Sequence, residues 1–237
     1  MPIRIKQVVP VTGDFLLDQA TRDYIGKYLD SDTVVDVDVI PEGQYSIESE
    51  YDEAVNAPQV VKLCQKAAAE GYDGIYVDCF GDPGVRAARE CVDIPVFGGF
   101  EPAMLVALGL GDKVGIVTVL ANVIPMIEGN IAKGHLCGRT TKVRAVNMPV
   151  ADLVDTEKLI EHLLPACIKS IGDGATVIVL GCTGMIDVSE TVQAKLLERG
   201  FDVPVVEAAQ AALNTVEMYA KMKLRHSGLT YMAPPEK

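Results

Sequence analysis

Basic side chains are scarce in this chain of 237 residues: 21 Lys and Arg stand against 33 Asp and Glu, a formal net charge of −12. A surface this acidic is repelled by a nucleic-acid backbone and by an anionic membrane, so neither is expected as a partner. The partner expected instead is a small-molecule substrate. No C-x-x-C pair occurs among Cys64, Cys79, Cys91, Cys137, Cys167 and Cys182, and the three His are scattered, so metal-ligand spacing is missing and no metal is expected. Six cysteines in a larger chain without a secretory leader read as reduced thiols rather than as a disulfide framework. No stretch approaches the ~20 apolar residues that span a bilayer. Met1 to Val11 lacks the long apolar block and small-residue cleavage site of a signal peptide, and the expected location is the cytoplasm.

With 49% hydrophobic residues the chain can bury a sizeable core. Short β-branched runs alternate with longer helical patterns, the signature of a parallel sheet covered by helices. The runs predict strands at Ile3 to Val11, Thr33 to Ile40, Gly74 to Asp78 and Ile94 to Phe97, then at Lys113 to Val119, Lys142 to Asn147, Thr176 to Leu180 and Val203 to Val206. Helices are predicted near Phe15 to Leu29, Asp52 to Ala69, Glu101 to Leu108, Ala121 to Lys133, Thr156 to Ile171, Val188 to Glu198 and Glu207 to Leu224. In the last, Ala209, Leu213, Val216 and Tyr219 recur at helical spacing as a core-facing stripe.

The two halves resemble each other. Gly71-Tyr-Asp-Gly-Ile-Tyr-Val-Asp-Cys79 parallels Gly174-Ala-Thr-Val-Ile-Val-Leu-Gly-Cys182, and each Cys follows a buried strand. A helix and a second strand come next in both, Asp93-Ile-Pro-Val96 and Asp202-Val-Pro-Val205, leading to Glu101 and Glu207 at helix starts. The fold class that follows is α/β: two similar lobes, each a four-stranded, mostly parallel sheet with helices on both faces, related by a pseudo-two-fold axis. The expected lobes are 1–98 with 207–237, the C-terminal helix packing back, and 99–206. Ligands of open α/β sheets sit at the carboxyl ends of the strands, so both Cys should face one cleft between the lobes.

Glycines just past each strand, in Cys79-Phe-Gly-Asp-Pro-Gly84 and Gly181-Cys-Thr-Gly-Met185, let the backbone approach a ligand closely. A free thiol titrates near ~8.5, and a helix N-terminus following each Cys is expected to lower that value. One thiolate and one thiol, facing a carbon acid from opposite sides, are what inversion requires. Cys64 and Cys167 fall inside helical patterns and read as small core residues. Arg86 and Arg89, on the helix after Cys79, read as a solvated face, with Arg86 spaced to pair with Glu90.

Cys79-Phe-Gly-Asp-Pro-Gly84, Ala87-Ala-Arg-Glu90 and Gly181-Cys-Thr-Gly-Met185 resemble the aspartate/glutamate/hydantoin racemase superfamily, and in particular its hydantoin and allantoin racemase branch. Ser46-Ile-Glu48, Asp52-Glu-Ala54 and Pro58 are similar to the same branch. The resemblance implies a racemase that needs no cofactor, with Cys79 and Cys182 as catalytic pair and a homo-oligomer as its state. It implies substrate contacts from Pro10, Val11, Thr12, Ile47 and Phe80 in the first half, and from Gly81 through its N–H. The second half would add Thr118, Thr183, Gly184 and Met185. Two positions depart from the branch: Val9-Pro-Val-Thr12 stands where it usually has Asn-Pro-Asn-Thr, and Thr183 where it commonly has Ala. The expected substrate is a 5-substituted hydantoin, allantoin or a related cyclic ureide, because no Lys or Arg lies in either motif to hold a dicarboxylate. Amino-acid racemisation, Cys-dependent isomerisation or decarboxylation, and ligand binding without turnover stay open as alternatives.

Overall fold

The computed structural model describes residues 2–13, 24 and 26–235. In the first half, β1 (Arg4–Val9) and β2 (Val34–Val39) precede α1 (Glu50–Ala69), β3 (Gly74–Val77), α2 (Val85–Cys91) and β4 (Val96–Phe97). The second half runs α3 (Phe100–Leu110), β5 (Val114–Thr118), α4 (Ile124–Lys133), β6 (Arg144–Ala145), α5 (Thr156–Gly172), β7 (Val177–Leu180), α6 (Ser189–Leu197), β8 (Val205–Glu207) and α7 (Ala208–Lys221). Most of the helix expected over Phe15 to Leu29, 15–23 and 25, falls outside the described residues.

The two sheets share one topology, β2-β1-β3-β4 and β6-β5-β7-β8. Every strand pair is parallel. The eight expected strands are all present, most with shorter ends, while β8 starts two residues later than expected and runs one residue further, to Glu207. β1 stops before Pro10, which has no N–H to continue the ladder. β6 keeps only Arg144 and Ala145 because Asn147, at φ 56°, turns the chain out of the sheet.

Helix ends follow their side chains. Ser49 caps α1, its Oγ accepting from the Asp52 N–H at 3.2 Å while donating to Asp52 Oδ2 at 2.8 Å, a reciprocal arrangement that satisfies an orphan donor of the first turn. Glu207 does the same for α6 from a distance, accepting the Val188 and Ser189 N–H groups at 3.1 and 3.0 Å. Cys64 and Cys167 are fully buried core residues, as their helical positions indicate.

The α7 stripe packs onto the first sheet, with Ala209, Ala212, Leu213 and Val216 against Ile5, Tyr76 and Phe97. Gly74 makes this approach close: a Cβ there would lie 2.5 Å from Val216 Cγ1, and Val216 is completely buried and stiff at χ1. Gly74→Ala is therefore expected to cost about 1–3 kcal/mol by overpacking. Denaturant melts check this, with Gly74→Ala/Val216→Ala recovering part of the loss; an unchanged midpoint in the single variant would show that the seam yields freely.

Arg89 corrects the solvated-face expectation. It is 6% exposed and donates to the Val96 carbonyl and the Tyr231 hydroxyl, both at 2.9 Å, while pairing with Glu101. Arg86 turns to the Tyr231 hydroxyl at 3.4 Å rather than to Glu90. The segment beyond α7 folds back over α2 to bring Tyr231 there, which helical spacing alone does not reveal. Among the described residues, no helix is long and apolar enough to cross a membrane.

Candidate active site

The strands that carry the two thiols are inner strands of their sheets, β3 between β1 and β4, β7 between β5 and β8. The last ladder bonds beside them run from Asp78 N–H to the Val8 carbonyl (2.9 Å) and from Gly181 N–H to the Val117 carbonyl (2.7 Å). The chain then leaves each sheet at Cys79 and Cys182. Both are half-buried and line one cavity, with about 50 Å³ open to the centres of water-sized spheres, far too small for a macromolecule.

Each sulfur has backbone N–H groups of the following turn beside it. Gly81 N–H donates to Cys79 Sγ at 3.4 Å, and the Gly184 and Met185 N–H groups lie near Cys182 and favour its anion, the Met185 N–H donating to the Cys182 carbonyl at 3.1 Å. The Cys79 loop is fixed from behind: Asn130 Nδ2 donates to the Gly81 carbonyl at 2.9 Å, and a Cβ on Gly81 would lie 2.9 Å from Met126 Sδ.

The ionisation of the thiols departs from expectation. Neither Cys is followed at once by a helix, since α2 begins six residues beyond Cys79 and α6 seven beyond Cys182. Burial dominates instead, raising Cys79 well above the ordinary thiol range and Cys182 to about 12. The Gly81 and Gly184 N–H groups pull the other way. Neighbouring charge adds to the rise: Cys182, Glu53 and Asp82 act on Cys79, and Asp78 and Glu48 act on Cys182.

Of the residues expected to contact substrate, Pro10, Val11, Ile47, Phe80, Gly81, Thr118, Thr183 and Gly184 line the cavity with both thiols. Thr12 is exposed at the surface, its N–H given to the Gln44 carbonyl at 3.1 Å. Met185 is 1% exposed and belongs to the core beneath the Cys182 loop. Thr118 caps no helix; its hydroxyl donates to the Gly181 carbonyl at 2.9 Å and so ties β5 to the Cys182 turn.

Three residues absent from the sequence expectations also shape the site. Asn56 is completely buried on α1, donating to the Pro10 carbonyl (2.7 Å) and accepting from the Gln44 N–H (2.7 Å), which holds both first-half wall segments. Glu48 accepts the Val150 N–H at 2.9 Å and joins that wall to the second half. Asp78, next to Cys79, lines the cavity and accepts from Gln7 Nε2 at 2.8 Å and the Tyr76 hydroxyl at 2.7 Å. Burial raises its carboxyl while these donors lower it, with the net change upward. The available signal was a charge ending the otherwise apolar run Ile75-Tyr-Val77. No Lys or Arg is among the described lining residues.

Twin α/β halves meeting at matched strand-end thiols give the chain the form of a racemase. The family model for Asp/Glu/hydantoin racemase matches residues 17–216. The hydantoin racemase of Pseudomonas sp. (strain NS671) is 34% identical over 210 residues, covering 87% of this chain and 82% of that one. Allantoin racemase structures from Klebsiella pneumoniae and Pseudomonas fluorescens superpose with TM-scores of 0.85 and 0.90, at 29% and 26% identity. They cover 99% of this chain and 95% and 99% of their own. The chain thus belongs to the Asp/Glu/hydantoin racemase family and is a racemase, an enzyme of the isomerase class. Within the family it falls in the hydantoin/allantoin racemase branch.

Proposed function

We propose that this racemase inverts the acidic ring carbon of a small cyclic ureide, a 5-substituted hydantoin or allantoin, using Cys79 and Cys182 as its acid–base pair and no cofactor. The observation that carries this is the matched pair of thiols, each with the i+2 backbone N–H nearby, facing one cavity whose described lining residues include no Lys or Arg. A dicarboxylate would enter that cavity against the Asp78 carboxyl with no positive side chain among the described lining residues to hold it. A neutral ring faces no such opposition.

The substrate carbon lies between the sulfurs. One thiolate takes its proton, the electron pair spreads into the adjacent carbonyl as an enolate, and the opposite thiol returns a proton to the other face. The Gly81 and Gly184 N–H groups favour whichever sulfur is anionic, since a hydrogen bond to a charged acceptor is roughly twice as strong as one between neutral groups. The apolar walls from Val119, Val123, Met126 and Ile127 keep water from competing for the intermediate.

Incubating a panel of hydantoins, allantoin and amino acids in heavy water tests this directly, with optical activity and proton NMR read together. The expected result is loss of optical activity for a ureide, with deuterium entering its stereocentre, and no dependence on chelator or added pyridoxal phosphate. Deuterium entering an amino acid alone would move the substrate to that class. Loss of turnover on chelation, restored by a metal, would remove the cofactor-independent mechanism.

A further inference from the structure

Thr183 follows Cys182 in the second half, yet its side chain is seated in the first. It is 6% exposed. Its methyl fills the space that Gly99 leaves open: a Cβ on Gly99 would lie 2.7 Å from Thr183 Cγ2. Its hydroxyl lies within hydrogen-bonding reach of the Asp78 carboxylate and the Tyr76 hydroxyl. Both walls of this socket are fastened to the other thiol. Asp78 is the residue before Cys79, held by Gln7 and Tyr76, and Gly99 N–H donates to the Cys79 carbonyl at 2.9 Å.

We propose that this interlock of Thr183 with Asp78 and Gly99 is the device that sets the separation of the two sulfurs, an inference resting on the two-cysteine mechanism above. The contact joins residues adjacent in sequence to each thiol, so no shorter mechanical link between the halves is available. Each sulfur must approach the same carbon to ~3–3.5 Å, and a misplacement of about 1 Å can cost on the order of 100-fold in rate. Thr183 is then a positioning residue, and its hydroxyl, within reach of Asp78, is no mark of an amino-acid substrate. Asp78 and Thr183 work as a unit that neither residue would form with a small apolar partner.

Three single variants and one double variant separate hydroxyl, methyl and socket. Thr183→Val keeps the shape and loses the hydroxyl; kcat is expected to fall about 10- to 100-fold with KM within about threefold. Misaligned thiols should also let the intermediate return to its starting face, so the ratio of deuterium in unconverted substrate to that in inverted product should rise several-fold. Thr183→Ser keeps the hydroxyl and should stay within about fivefold of the wild type. Gly99→Ala should lose activity by crowding the methyl, and Gly99→Ala/Thr183→Ser should recover part of it. An unchanged kcat and deuterium ratio in Thr183→Val, even with a lower melting temperature, would overturn the proposal, as would equal losses in the Ser and Val variants. If the wild type racemises nothing, the two-cysteine mechanism falls, and the interlock is judged by bridging Cys79 to Cys182 with a short bis-alkylating reagent. Lower bridging in Thr183→Val than in Thr183→Ser supports it then; equal bridging overturns it.

Discussion

Cys79→Ser is expected to lower kcat for racemisation by about 10²–10⁴-fold, the usual contribution of a general acid or base, and Cys182→Ser to do the same from the opposite face. Serine preserves the size and hydrogen-bonding capacity of the side chain, and the Gly81 and Gly184 N–H groups keep an acceptor. What it loses is acidity, because a hydroxyl yields its anion far less readily than a thiol and returns a proton correspondingly slowly. Each variant loses one member of a two-step relay, so neither direction of inversion survives intact. Cys137→Ser is the comparison, since Cys137 is exposed and lies off the cavity. Alkylation should inactivate the wild type, and a bound ureide should protect it. Circular dichroism establishes that the variants fold. More than about a tenth of the wild-type rate in either serine variant would remove that residue from the pair.

How much of this was legible in the sequence depended on the range of the interactions. β-branched runs marked all eight strands; the inner β3, β5 and β7, buried throughout, imprint their composition locally, whereas the edge strands β2 and β6 are only partly buried. The duplicated spacing from glycine to Cys brought both thiols to equivalent strand ends, and the equal strand order of the sheets turns that spacing into a shared cavity. Polar burial was not legible. Arg89 looks like a surface helix residue until Tyr231 arrives from 142 positions away, and Asp78 finds Gln7 across 71. Thr183 lines the cavity, but nothing near it in sequence shows that Gly99 leaves room for its methyl. The thiols were expected beside helix N-termini, but the Gly-rich turns delay both helices, and the N–H groups that serve the sulfurs come from the turns themselves.

The burial of the thiols makes the pH dependence steep: kcat/KM is expected to rise about tenfold per unit between roughly pH 6 and 8.5. This quantity reports ionisations of the free enzyme. Burial pushes Cys79 well up and Cys182 to about 12, so at neutral pH the empty site holds two neutral thiols and the competent thiolate–thiol form is a minority. Below the first macroscopic pKa of the pair, that minority grows tenfold for each unit of pH. Its falling limb lies higher still, because the first sulfur to ionise opposes the second. Stability runs in the opposite direction. A thiol whose folded pKa is raised contributes stability that is fully present below its unfolded pKa of about 8.5 and is lost as pH climbs toward the folded value. Cys64 and Cys167, each raised to about 12 by burial, add to that alkaline loss. Rates measured from pH 6 to 8.5, with the fold monitored at each point and the rate of iodoacetamide inactivation as a parallel readout, separate the two effects. Both rates should climb together, and substrate should suppress the alkylation. A kcat/KM that is flat between pH 6 and 8 would mean that the free enzyme already holds one thiolate, with the backbone N–H groups outweighing the loss of water around the sulfur.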